Sequence, residues 1–122
     1  MHPFRLPMSI KYSLQLASVS LLVSATLTTP AAHAENDALK KLMLANNCMA
    51  CHMIDKRKYG PQFNEVAEKY IGDSSAAIKL AAKIKAGGSG VWGEEMMPPQ
   101  PQVSDADAKT IAELIMALTP SK

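Results

Sequence analysis

Residues 48–52 read Cys48-Met49-Ala50-Cys51-His52, and the rest of the chain takes its meaning from them. Both cysteines of the 122-residue chain and one of its three histidines fall within these five positions. Thiols and an imidazole packed this tightly serve metal, redox or attachment chemistry. Choosing among these depends on what surrounds the cluster.

The first third of the chain has the pattern of an export leader. Arg5 and Lys11 make a basic start, an apolar run covers residues 14–27, and Ala32-His33-Ala34 supplies the small residues of a cleavage site. The run contains Gln15, Ser18, Ser20, Ser24 and Thr26 and falls short of the roughly 20 residues that cross a bilayer. Residues 1–34 are therefore expected to be a cleaved signal peptide, and residues 35–122 a single periplasmic domain with no stable membrane insertion. Arg5 and Lys11 leave with the leader, so the 13 basic residues fall to match the 11 acidic ones. A formally neutral domain lacks the basic excess of a nucleic-acid binder. His2 and His33 leave as well, and His52 remains as the sole histidine. A chain this short buries little surface and gains from a bound prosthetic group.

Hydrophobic spacing predicts an all-α domain of about four helices. Ala38, Leu39, Leu42 and Ala45 recur at helical steps over 37–46, with Asn46-Asn47 as a stop. Gly60-Pro61 marks a turn. Further helices are expected over 63–71, stopped by Gly72, and over about 74–86, stopped by Gly87-Gly88. The last runs from Ser104 to about Leu118, with Asp107 completing a capping-box variant and Pro120 ending it. Residues 87–103, rich in glycine and proline, fit neither helix nor strand. A loop this long in a small domain is expected to be functional, and it holds Trp92 and Met96-Met97.

Three chemistries compete for residues 48–52. A redox dithiol normally follows a strand in a βαβ pattern, and here a helix precedes it. A closed zinc site needs four ligands, and the mature chain offers only Cys48, Cys51 and His52. The spacing C-x-x-C-H attaches haem: two thiols bond the ring through thioethers and the next histidine binds the iron. Export and the absence of other cysteines favour one covalent haem c on Cys48 and Cys51, with His52 as axial ligand. With no second histidine, the sixth ligand is a methionine, a lysine, the new amino terminus, or nothing. Met49 and Met53 sit too near the anchor, and Met43 and Met116 fall within helices. Met96 and Met97 lie in the loop, either as a ligand or merely lining the crevice. Met97, directly before Pro98-Pro99, is the better placed.

The stretches "CMACH", "YGPQF" (59–63), "KIKAGGSGVWG" (83–93), "MMPP" (96–99) and "VSDADAK" (103–109) resemble the small bacterial class I c-type cytochromes of the c-551/c-552 group. The resemblance spans almost all of the mature chain. It implies the class I cytochrome c fold with Met97 as the axial methionine. It implies that the Pro61 carbonyl accepts a bond from His52, and that Trp92 and Lys83 reach haem propionates. The chain departs from the pattern in two respects. Met43 and Leu114 stand where relatives often pair aromatics, which predicts an aliphatic contact of lower stability. Gln100 stands where relatives commonly have an asparagine bonding the methionine sulfur.

The function these features imply is transfer of single electrons between respiratory redox partners, without enzymatic activity. The alternative is a haem protein with a labile or open sixth site acting in peroxidase or gas-binding chemistry. Lys40, Lys41, Lys56, Arg57 and Lys58 are expected to form a basic rim that steers transient acidic redox partners.

Overall fold

The computed structural model describes residues 30–118, with side chains from His33 onward. The leader expectation falls largely outside these residues, as does Pro120. Four helices are described: α1 Pro30–Ala45, α2 Phe63–Lys69, α3 Ala76–Ala86 and α4 Asp105–Met116. A single 3-10 turn, Cys48–Ala50, stands between α1 and α2. The one ladder-type pairing among the described residues is an isolated bridge between Gly88 and Met97. The all-α expectation holds.

Local chemistry sets most of the helix ends. Asn47 takes φ 57°, the left-handed conformation that asparagine tolerates, and stops α1 before the cysteine turn. Ser104 caps α4, its Oγ accepting from the Asp107 amide at 3.0 Å. Two ends of the middle helices differ from the spacing pattern. α3 begins at Ala76, because Asp73 Oδ1 accepts from both the amide (2.9 Å) and the hydroxyl (2.6 Å) of Ser75 and holds a turn there. α2 stops at Lys69, two residues early, with the Tyr70 amide already tightened onto Ala67 O.

α1 starts at Pro30, well before residue 37, yet residues 33–38 are all exposed. Burial begins at Leu39 and Met43, both fully inaccessible. They join Ala108, Ile111, Ala112 and Ile115 of α4 in one core with Phe63 and Val66 of α2 and Leu80 of α3. α4 is thus the common wall against which the other three helices pack. Met43 is buried where an aromatic was absent from the sequence, and Leu114 lies half-buried against the same core. Met43 and Leu114 thus both pack into the core that α1 and α4 share.

Candidate functional site

An open cleft lies on one side of this core. Both cysteines, His52 and Met97 line it, and apolar side chains including Phe63, Val66, Leu80 and Ile111 form much of its wall.

The cysteine turn is short and wound tightly. The amides of Cys51 and His52 both bond the Cys48 carbonyl, at 3.1 and 2.9 Å, which keeps the histidine on the same turn as the two thiols. Cys51 is exposed and Cys48 half-buried. Burial raises the Cys48 thiol above its ordinary pKa, because desolvation disfavours the thiolate.

His52 is 8% exposed, the one buried polar or charged side chain among the described residues. Its Nδ1–H donates to the Pro61 carbonyl at 2.9 Å. That bond commits one ring nitrogen and leaves Nε2 with its lone pair, the arrangement of a metal-binding imidazole. Phe63 stacks on the ring, centroids 5.1 Å apart and planes 19° apart. On its other contact, Gly60 packs so closely that a Cβ there would lie 2.6 Å from Nδ1 and 2.8 Å from Nε2. The glycine of "YGPQF" is therefore required by the imidazole and not only by the turn. Backbone bonds Gly60 N to Cys51 O (2.9 Å) and Phe63 N to Met53 O (3.0 Å) tie the segment to the cysteine turn.

The methionine loop is fixed to the end of α3. Gly88 and Met97 exchange two backbone bonds, each 2.9 Å. Gly87 has φ +68°, and a Cβ there would strike the Met97 carbonyl and lie 2.8 Å from the Pro98 carbonyl carbon. Only glycine allows this approach. Of the adjacent methionines, Met96 is 71% exposed and Met97 half-buried, though both border the cleft.

The remaining expected site residues are placed as follows. Trp92 is half-buried at the cleft, with Lys69 Nζ 5.3 Å from its ring centroid, a cation–π contact that the sequence did not suggest. Lys83 lines the cleft and folds over Gly88. Gln100 also lines it, but its Nε2 donates to Pro98 O at 2.9 Å and its Oε1 accepts from Gln102 at 2.6 Å, so its amide is engaged along its own loop. The five expected rim cations do not gather at the cleft wall. Lys40 borders a separate hollow beside Met49 and Met53, Arg57 pairs with Glu65 at 2.9 Å, and Lys58 bonds Met49 O at 3.3 Å.

The donor set and the lining fit a covalently held haem. Two thiols stand at the lip, one buried imidazole has a free ring nitrogen, and a thioether sulfur borders the same apolar cleft. Zinc and dithiol chemistry fit less well. Among the described residues no three His, Cys, Asp or Glu side chains are grouped to hold a metal, and no strand leads into the cysteines.

Comparison with known proteins agrees. The family model described as cytochrome c matches residues 37–119. The chain is 47% identical over 95 residues to cytochrome c-552 of Nitrosomonas europaea, covering 78% of this chain and 88% of that one. It is 52% identical over 77 residues to cytochrome c-551 of Azotobacter vinelandii, covering 63% and 93%. The crystal structure of wild-type Nitrosomonas europaea cytochrome c552 superposes with a TM-score of 0.64 at 48% identity, over 66% of this chain and 99% of that one. These relatives favour the electron carrier over the open-site peroxidase alternative. The chain belongs to the cytochrome c family, as a monohaem electron-transfer cytochrome of the c-551/c-552 group with one covalently bound haem c.

Proposed function

We propose that Cys48 and Cys51 carry the haem through two thioethers, that His52 and Met97 are its axial ligands, and that the protein shuttles single electrons between respiratory redox partners. When bound, the haem supplies an iron that changes oxidation state by one electron. The chain's own residues do the rest. Pro61 O holds the His52 ring in one tautomer, and Gly60 and Phe63 fix its plane from two sides. The Gly88–Met97 bridge holds the loop that bears the sixth ligand. Leu80 and Ile111 line the cleft and would shield the bound ring from water. Trp92 and Lys83 stand at the cleft as candidate partners for propionates. With His52 and Met97 both engaged on the iron, no position would be left for a substrate, as suits a carrier.

The observation that carries this assignment is the buried His52, tied at Nδ1 and free at Nε2, in a cleft that Met97 also lines. The half-burial of Met97 beside an exposed Met96 favours Met97 as the ligand. Export to the periplasm after loss of residues 1–34 belongs to the same proposal. It is supported by the exposure of residues 33–38, which flank the cleavage point and take no part in the core. Among the described residues no helix is long and apolar enough to cross a membrane. Transient docking of redox partners completes it, through small contacts; Lys40, Lys41, Lys56, Arg57 and Lys58, which stand off the cleft lining, are the cations that would steer acidic partners by long-range attraction.

Optical spectroscopy of the purified holoprotein tests it. A low-spin spectrum in both oxidation states, no carbon monoxide binding and a one-electron titration are expected. High-spin haem that binds carbon monoxide readily refutes it.

A further inference from the structure

The loop that bears Met97 is closed at both ends by one side chain. Lys85 lies in the last turn of α3, two residues before Gly87, where the loop begins. Its Nζ donates to the carbonyl of Val103 at 2.6 Å, where the loop ends. Val103 is fully buried, and its own amide bonds Gln100 O at 3.2 Å. The backbone carbonyl of Lys85 accepts from the Gln100 amide at 3.1 Å. The same Nζ also lies 3.1 Å from Asp105 Oδ1, at the first turn of α4. Lys85 therefore joins the end of α3, the exit of the loop and the start of α4.

These contacts differ in weight. Asp105 is almost fully exposed, at 94%, and an ion pair to it contributes little. The bond to Val103 O is charge-assisted and partly shielded, and its loss leaves a carbonyl of a buried residue without that donor. The aliphatic stem of Lys85 adds packing along the helix end. Val103 also shares the apolar core with Leu80 of α3, but no other described side-chain hydrogen bond ties residues 100–103 to α3.

We infer that Lys85 is the positioning residue of the methionine loop: by holding Gln100 and Val103 against the end of α3, it keeps Met97 at the cleft and sets how often the sixth coordination position opens. This rests on Met97 being the axial ligand. Lys83, two residues earlier, lines the cleft itself; Lys85 does not and acts only through the loop. An outside ligand binds only the opened form, so its apparent affinity scales with the open population.

The test is imidazole binding to the ferric holoprotein, with the weak methionine–iron absorption band as a second readout. Lys85→Met keeps the stem and removes the donor. It is expected to bind imidazole roughly tenfold more tightly than the parent, the scale of one charge-assisted bond. Lys85→Arg, which retains a cationic donor, is expected to stay within about twofold of the parent on the same reasoning. Asp105→Asn removes only the exposed pair and is expected to change nothing. If Lys85→Met fails to accumulate, Lys85→Leu, which also lacks a donor, replaces it with the same expectation. Faster hydrogen exchange at the Gln100 amide is expected in either variant. Unchanged imidazole affinity in Lys85→Met or Lys85→Leu, with the band lost only in Met97→Ala, overturns the inference and leaves Met97 as ligand. A band that persists in Met97→Ala overturns the ligand assignment, and the inference with it.

Discussion

Replacing Gly60 with alanine tests whether the histidine is held as the structure shows. The new Cβ would lie 2.6 Å from His52 Nδ1 and 2.8 Å from Nε2, and closer still to Cε1. Ordinary van der Waals contact begins at 3.4 Å, so ring and backbone must separate by about 0.8 Å at Nδ1 alone. The ring has nowhere to go without loss. Phe63 stacks on it, and its Nδ1–H reaches Pro61 O at 2.9 Å, a bond that such a shift stretches beyond useful length. Overpacking costs about 1–3 kcal/mol and the lost bond about 1 kcal/mol, so a total near 2–4 kcal/mol is expected. Thermal unfolding of the holoprotein reads the stability. The potential reads the ligand, because freeing Nδ1 removes the bond that strengthens the imidazole as a donor. A variant with unchanged melting temperature and unchanged potential contradicts this packing. Serine at position 60 is expected to behave like alanine, since the collision is with Cβ itself.

Other outcomes follow from the same contacts. Met97→Ala is expected to lower the potential by a sizeable part of the roughly 0.8 V range that axial ligands command, whereas Met96→Ala leaves it near the parent value; potentiometric titration of both variants decides, and the reverse result moves the ligand to Met96. The Asp73 carboxyl is lowered to about 2, chiefly by its bond to Lys79 Nζ, with Ser75 adding to the shift. Its folded pKa lies below its unfolded one, so its contribution is present above about pH 4 and is lost as pH falls through about 2. Melting curves of Asp73→Asn are expected to lose part of the acid dependence in that window, and identical acid dependence contradicts the assigned bonds. Met43→Ala is expected to cost about 2–5 kcal/mol in chemical denaturation, because Met43 is fully buried between α1 and α4.

Much of the site was legible because its signals are local. Cys48, Cys51 and His52 fall within five residues of one turn, and the helix stops at Asn46-Asn47 and Gly87 and the helix start at Ser104 are short-range chemistry. The proline carbonyl that orients His52 was implied by resemblance and is found at hydrogen-bond distance. What stayed hidden depends on parts of the chain that meet only in three dimensions. Gly60 reads as a turn glycine, and only the fold reveals the imidazole against it. Lys85 reads as one more helix-end lysine until Val103, 18 residues later, arrives at its Nζ. Lys69 and Trp92 are likewise far apart in sequence. The rim cations were grouped by charge alone, and Lys40 borders a different hollow from the one that holds the cysteines. The start of α3 shifted because the Asp73–Ser75 bonds stabilise a turn against the helix that apolar spacing favours.

The central claim is that Met97 and His52 together hold the iron. Proton NMR of the reduced, low-spin holoprotein tests it most directly, with methionine methyl groups isotopically labelled. A methyl bound over the haem face experiences its ring current and shifts far from the others. One such methyl is expected, and it disappears in Met97→Leu while persisting in Met96→Leu. No shifted methyl, or one that disappears with Met96, contradicts the account.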